Sequence, residues 1–318
     1  MKRIAVAFAA LVLALPAWAQ SWPTGLVKII VPFGAGSTPD AVARLIADRL
    51  HHETGQTFIV VNKPGASGNL GTDAVAKAAP DGRTIGISIG GPLAINTLLF
   101  AKLPYNPKKD LSFITMLVTQ PSVLAVNMKL GVNSVQQLID LIRRNPGKYN
   151  YGSIGTGSLS QLAMEAIARK SGTRLVHVAY NSSPRAVEAL MRNDVQMVCL
   201  PAISIMPQAA AGKVKALAQT LAKRSPLLPG ISTLEEAGID VQADAWMGLI
   251  GPAGLSSAVV ERINRLVSEA ITYPTVRQTL SKQYMEPIPD TPAQFRARIN
   301  ADIARWKPII EAAKIKIQ

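Results

Sequence analysis

Short apolar runs recur along the chain, separated by stretches of helical periodicity. Residues 26–32 (LVKIIVP), 57–61 (TFIVV) and 84–89 (TIGISI) are each predicted to form a buried strand. Between the first two, Thr38-Pro39-Asp40 predicts a helix start, with Thr38 as N-cap, Pro39 at the first helical position and Asp40 favourable to the dipole. Val42, Leu45, Ile46 and Leu50 then form an apolar stripe, and Gly55 follows the helix end. A glycine-rich turn at 62–71 leads into a short helix near 72–79. The alternation then resumes. Strands are predicted at 123–126, 150–153, 175–180, 195–200 and 214–219, with helices over 135–143, 159–170 and 183–191. Ser134 with Gln137, and Ser158 with Gln161, read as capping boxes. A strand at 245–250 and helices at 258–271 and 293–306 follow. The last helix carries Phe295, Ile299, Ile303 and Trp306 on one face. Strands alternating with helices imply α/β architecture with doubly wound, mainly parallel sheets and flanking helices. Strand, Gly/Ser loop and helix occur near 27–50 and again near 150–170, as though two similar lobes were built in series.

With 318 residues, about two domains are expected. One cysteine, Cys199, excludes an internal disulfide framework, a CxxC redox site and a multi-thiolate zinc site. The formal net charge of +14 invites a nucleic-acid reading. The basic residues are scattered, however, with no run longer than pairs such as Arg143-Arg144. Aromatic residues make up only 5%, too few for a base-stacking platform.

The N-terminus adds a compartment. Lys2-Arg3 precede an apolar run from Ile4 to Leu15, Pro16 breaks it, and Ala17-Trp18-Ala19 forms a small-x-small cleavage site before Gln20. The run is shorter than the ~20 residues a membrane span needs. An exported chain cleaved after Ala19, without a membrane anchor, is predicted.

Two strand-to-helix loops could carry binding chemistry: Phe33-Gly34-Ala35-Gly36-Ser37-Thr38 and Gly155-Thr156-Gly157-Ser158. A helix N-terminus offers unpaired N–H groups and a partial positive charge, so it holds an anion without a basic side chain. Two such ends on two lobes could grip one carboxylate across a cleft. Neither loop is a nucleotide motif: Pro39 stands where a third glycine belongs, and no GxxxxGK[ST] occurs. No cofactor is expected.

Gly86-Ile87-Ser88-Ile89-Gly90 matches GxSxG, the nucleophile elbow of serine hydrolases. A triad also needs a later histidine, and only His177 follows, inside an apolar strand and far from the C-terminus. An exported serine hydrolase using Ser88 is the alternative reading; in the binding reading Ser88 is a strand residue near the cleft. His51-His52 read as solvated helix-terminal residues rather than metal ligands.

Val31-Pro32-Phe33-Gly34-Ala35-Gly36 followed by Asp40 resembles the opening segment of the Bug/TctC family, the periplasmic solute-binding proteins of tripartite tricarboxylate transporters. The likeness continues through Asn62-Lys63-Pro64-Gly65-Ala66-Ser67-Gly68-Asn69, Ala78-Ala79-Pro80-Asp81-Gly82, Leu103-Pro104-Tyr105 and Asn145-Pro146-Gly147-Lys148. Tyr151-Gly152-Ser153, Ala211-Gly212-Lys213, Lys223-Arg224-Ser225, Gly251-Pro252-Ala253-Gly254 and Ile303-Ala304-Arg305-Trp306 complete it.

The resemblance implies a two-lobed Venus-flytrap fold of the periplasmic-binding-protein type, monomeric, performing no chemistry. Lobe 1 would comprise 20–122 and 243–318 and lobe 2 123–242, with crossovers near 121–127 and 242–248. The ligand would be a small organic carboxylate and the partners inner-membrane transporter subunits; a signalling partner for a periplasmic sensor stays open. Carried over, the ligand-binding loops are Phe33–Asp40 (Phe33, Gly34, Ala35, Gly36, Ser37, Thr38, Asp40) and Ile154–Ser158 (Ile154, Gly155, Thr156, Gly157, Ser158), with Asn181 and Ser182 beside the second. Where many members read F-D-N, this chain reads Cys199-Leu200-Pro201. Leu200 at the pocket would leave a ligand ammonium unpaired, favouring non-amino carboxylates.

Overall fold

The computed structural model describes residues 22–317; the predicted export segment and its cleavage after Ala19 lie outside the described residues. Eleven strands are described: β1 (Val27–Val31), β2 (Phe58–Asn62), β3 (Thr84–Ile89), β4 (Leu111–Gln120), β5 (Ser122–Asn127), β6 (Asn150–Ser153), β7 (Val176–Ala179), β8 (Met197–Pro201), β9 (Val214–Gln219), β10 (Ala245–Pro252) and β11 (Glu286–Pro287). They form two sheets, ordered β11-β4-β10-β3-β1-β2 and β7-β6-β8-β5-β9. The chain passes from the first sheet to the second between Gln120 and Ser122, and returns between Gln219 and Ala245.

The α/β two-lobed fold is the one expected, but each sheet is mixed rather than mainly parallel. β1 runs parallel to β2 and β3, and β6 parallel to β7 and β8. β10 is antiparallel to β3 and β4, and β5 antiparallel to β8 and β9. The physical reason is the crossing. A strand arriving from the other lobe enters at the C-terminal ends of the parallel strands and must run against them. Ser122, the first residue of β5, therefore lies opposite Pro201 at the end of β8. Met247, near the start of β10, lies opposite Ile89 at the end of β3. The duplication is visible in the sheet order: β2-β1-β3-β10 matches β7-β6-β8-β5.

Both faces of each sheet are covered, which is why the central strands read as continuous apolar runs. Val27, Ile29 and Val31 pack with Ile46 and Val267 on one face of the first sheet, and Ile30 with Val75 and Phe113 on the other. In the second sheet Met197 and Cys199 face Leu162 and Ile167, while Val198 and Leu200 face Ala186 and Leu190. The 21-residue helix Pro292–Ala312 spans roughly 30 Å. Its Phe295 and Ile299 lie in a core of the first sheet, and Trp306, Ile309 and Ile310 in a core of the second. No helix among the described residues is long and apolar enough to cross a membrane.

Candidate functional site

Helix Thr38–Thr54 starts one residue earlier than its sequence suggests: Ser37, with extended backbone, is the N-cap, and Pro39 sits in the first turn. The Ser37 hydroxyl makes no cap bond and is buried without a partner among the described residues. Asp40 turns back on the loop. Its Oδ2 accepts the Gly36 N–H at 2.9 Å and Arg44 Nε–H at 3.0 Å. Its Oδ1 accepts from Arg44 Nη2 at 3.0 Å and from Asn62 Nδ2 at 2.9 Å. Asn62 also donates to the Phe33 carbonyl at 3.0 Å. The Arg44 bonds, with smaller help from Gly36 and Asn62, outweigh burial and pull the Asp40 carboxyl down to about 2. The Asp40 side chain is thus a loop anchor rather than a ligand contact, since a buried, already paired carboxylate does not attract an anion. The Gly36 amide is consumed internally, whereas the Thr38 and Asp40 amides have no acceptor among the described residues.

The second loop repeats this design with neutral groups. Gln161 Oε1 accepts the Gly157 N–H at 2.7 Å, four residues back, as Asp40 does for Gly36. Ser158 caps helix Leu159–Ser171 through the Gln161 N–H and donates to the Gly155 carbonyl at 2.6 Å. Because Gln161 reaches Gly157 rather than Ser158, only half of the predicted capping box forms. Ser160 Oγ accepts the Ile154 N–H at 3.0 Å, and Ser153 Oγ accepts the Gly155 N–H at 3.2 Å. Gly157 must be glycine: its φ is +76° and a Cβ would lie 2.5 Å from Leu99 Cδ1. The amides of Thr156, Leu159 and Ser160 are left without acceptors among the described residues. Side chains tie down the amide of Gly36 in the first loop and those of Gly155 and Gly157 in the second, and leave the helix-terminal amides free.

Both loops follow strand ends that lie toward the crossing between the sheets. Gln120 at the end of β4 pairs with Ala245 at the start of β10, and two residues later Ser122 pairs with Pro201. The C-terminal edges of the parallel strands in both sheets therefore abut the same crossing. Ligands of open α/β sheets bind at such edges. Gly34, Ala35, Gly36, Ile154, Thr156 and Asn181 are exposed there, and Phe33, Ser37, Thr38, Gly155, Ser158 and Ser182 half-buried. Ser182 precedes a third helix N-terminus at Ser183–Arg192.

Two expected contacts are removed by burial. Ser88 is 0% exposed in β3 and exchanges a hydrogen bond with Thr72 Oγ1 at 3.0 Å. Leu200 is 0% exposed, because both faces of β8 are covered. Leu200 therefore says nothing about a ligand ammonium. The Ser88–His177 pairing also dissolves: Ser88 lies in the first sheet, whereas His177, in β7, holds Ser153 through Nε2 at 2.6 Å. Cys199 is buried, which pushes its thiol up to about 12 and leaves it unreactive at neutral pH. Asp244 beside the second crossing is paired with Arg298 at 2.7 Å.

The sequence reading missed one segment. Ala66, Ser67 and Gly68 all have positive φ, at 47°, 55° and 88°. They rest against Phe33 and Pro92, since a Cβ on Gly68 would lie 3.0 Å from Phe33 Cζ. Asn69 Oδ1, taking hydrogen bonds from Asn96 at 2.7 Å and Tyr105 at 3.1 Å, holds this strained turn in place. Its glycines were legible as a turn, but nothing local ties them to the first loop. A concavity of about 640 Å³ lies elsewhere, between Leu93, Phe100, Tyr105, Lys108 and Ile303; none of the loop residues lines it.

Two α/β lobes with crossing strands and helix N-termini define a two-lobed periplasmic solute-binding protein. Residues 42–315 match the tripartite tricarboxylate transporter family receptor, TctC, and the chain belongs to that family. BugT of Bordetella pertussis is 30% identical over 308 residues, covering 96% of this chain and 94% of BugT. The solved structure of R. palustris Rpa4515 with adipate has a TM-score of 0.80 at 32% identity, covering 93% of this chain and 99% of that one. MatC from Rhodopseudomonas palustris with bound malate has a TM-score of 0.75 at 28% identity, covering 91% and 100%. The family comprises periplasmic solute-binding proteins, not enzymes, which sets the hydrolase alternative aside.

Proposed function

We propose that this protein captures a small di- or tricarboxylate between its lobes, non-covalently, and presents it to the membrane subunits of a tripartite transporter. The observation that carries this reading is the pair of loops in which the Gly36, Gly155 and Gly157 amides are internally tied while the Thr38, Asp40, Thr156, Leu159 and Ser160 amides stay free. Such donors suit a carboxylate, because hydrogen bonds to an ionised acceptor are the strong ones. Adipate and malate in the two neighbouring structures agree with that chemistry. Export with cleavage after Ala19 would place the chain where the ligand arrives. Lobes of 20–122 with 243–318, and of 123–242, would close about the Gln120–Ser122 and 243–245 crossings.

Amino acids are disfavoured on grounds other than Leu200. Asp40 in the first loop and Asp244 beside the second crossing are already engaged by Arg44 and Arg298. A ligand ammonium would be desolvated without a partner. The test is a thermal-shift and calorimetric screen on unfolded and refolded, ligand-free protein. Saturating dicarboxylate at about 100 times Kd should stabilise the fold by about 2.7 kcal/mol. Succinate or adipate should bind at least about tenfold tighter than aspartate, a difference of ~1.4 kcal/mol. Stabilisation by uncharged solutes alone, with every carboxylate silent, would refute the reading.

A further inference from the structure

His177 is the residue on which the second-lobe loop converges, and its protonation state can be deduced from its neighbours. Gly157 N–H is an obligate donor, so the Gln161 atom that meets it at 2.7 Å is the carbonyl Oε1. The Gln161 NH2 group then faces His177 Nδ1 at 3.1 Å, and Nδ1 must be the acceptor. The proton therefore sits on Nε2, which donates to Ser153 Oγ at 2.6 Å. Ser153 in turn accepts the Gly155 N–H and donates to the Gly155 carbonyl, each at 3.2 Å. Both glycine amides of the loop are thus set by one imidazole, Gly157 through Gln161 and Gly155 through Ser153.

We propose that His177 is a positioning residue of the ligand site: its neutral Nε2–H tautomer holds the second-lobe loop in the shape that presents the Thr156, Leu159 and Ser160 amides. This deepens the carboxylate-binding reading and rests on it for the identity of the ligand. A proton on Nδ1 places a donor against the Gln161 NH2 donor. Gln161 must then rotate, and its Oε1 leaves the Gly157 amide. The first lobe has no such sensitivity, because the equivalent acceptor is the Asp40 carboxylate, held by Arg44 and Asn62. Acid should therefore disarm one lobe and spare the other.

The surroundings of His177 favour the neutral form. The ring is half-buried, and desolvation pushes its pKa below the usual imidazole value. Tyr151 of β6 stacks on it, with ring centroids 5.0 Å apart and planes 25° apart. Glu165 of helix Leu159–Ser171, the carboxylate on this face, is spent as the acceptor of the Tyr151 hydroxyl. Tyr151 and Glu165 are the titratable groups presented to His177 by the strand and helix packed against it.

The experiment is an NMR titration of histidine- and glycine-15N-labelled protein from about pH 7.5 to about pH 5, with His177→Gln and His177→Leu beside it. At pH 7.5 the His177 nitrogens should show the Nε2–H tautomer. The Gly155 and Gly157 amide signals should move with the midpoint of His177 and stay still in His177→Gln. An Nδ1–H tautomer, or glycine amides that ignore the His177 titration, would overturn the proposal without any ligand present. Adipate is the probe for the binding arm. Over this pH range the native protein should lose about tenfold more affinity than His177→Gln, the comparison cancelling adipate's own protonation. His177→Gln, which keeps one donor and one acceptor, should bind within about threefold of native at pH 7.5; His177→Leu should be about tenfold weaker at both pH values. Equal pH dependence in native and Gln proteins would refute the positioning role. Failure of adipate to bind at any pH would count against the carboxylate reading, while the amide titration still decides the relay.

Discussion

Asp40 accepts four hydrogen bonds, from Gly36, Asn62 and twice from Arg44, while carrying the wrong charge to meet an anion. Its value lies in fixing the amide that precedes the helix. Asp40→Asn places an NH2 group among those donors, and a buried polar mismatch of this kind costs about 1–3 kcal/mol. The pH dependence has a definite sign. The folded-state pKa of about 2 lies below the unfolded value, so the contribution is complete above about pH 4 and lost as pH falls toward 2. Urea midpoints of the native and Asn proteins should therefore differ at pH 6 and converge near pH 2. Parallel curves across that range would show that the carboxylate does not anchor the loop.

Among the elements, helix Pro292–Ala312 stands out, because it ties the two cores together beside the crossings. Arg298 on this helix reaches Asp244 at 2.7 Å and Asp302 at 3.2 Å. Thr119 Oγ1 donates to Asp244, and Trp246 Nε1 donates to Asp302 at 2.6 Å. Burial raises the Asp302 carboxyl even with Arg298 and Arg305 against it, so the group depends on its cations. Breaking a buried pair by removing one partner costs about 3–5 kcal/mol, whereas removing both charges is far milder. Arg298→Met should therefore lower the unfolding free energy by about that amount, and adding Asp244→Leu should recover part of it. A single variant as stable as the native protein would mean that the network is solvated. The strand β4 belongs to this scale as well. It went unpredicted because Ser112, Thr115 and Thr119 interrupt its apolar residues without a period of two, and β4 is covered on both faces.

For the whole molecule, the proposed binding by donor loops on both lobes would make ligand capture and closure one event. A ligand touching both lobes binds the closed form better than the open form, and it shifts the population by that difference alone. Small-angle scattering should show a smaller radius of gyration with saturating carboxylate, and none of that contraction in Thr156→Pro, which removes a free amide of the second loop. An unchanged radius on saturation would rule out closure. The basic net charge should also make association slow as salt rises, with little change in dissociation.

The alternation of apolar runs with helical stripes, the capping serines and the glycine loops are local features, decided by the spacing of neighbouring residues. Sequence alone therefore determined the α/β class, the duplicated strand–loop–helix unit and the two strand-to-helix loops proposed to bind the ligand. Tertiary structure decided everything that depends on partners distant in the chain. Asn62 joining the local Arg44 to make Asp40 an anchor, His177 meeting Ser153 instead of Ser88, and Leu200 sealed in a core all need residues far along the chain. The antiparallel entry of β5 and β10 is likewise set by which lobe each strand comes from. Residue spacing specifies what a segment prefers to be; which side chains it meets is fixed only when the sheets stack and both of their faces are covered.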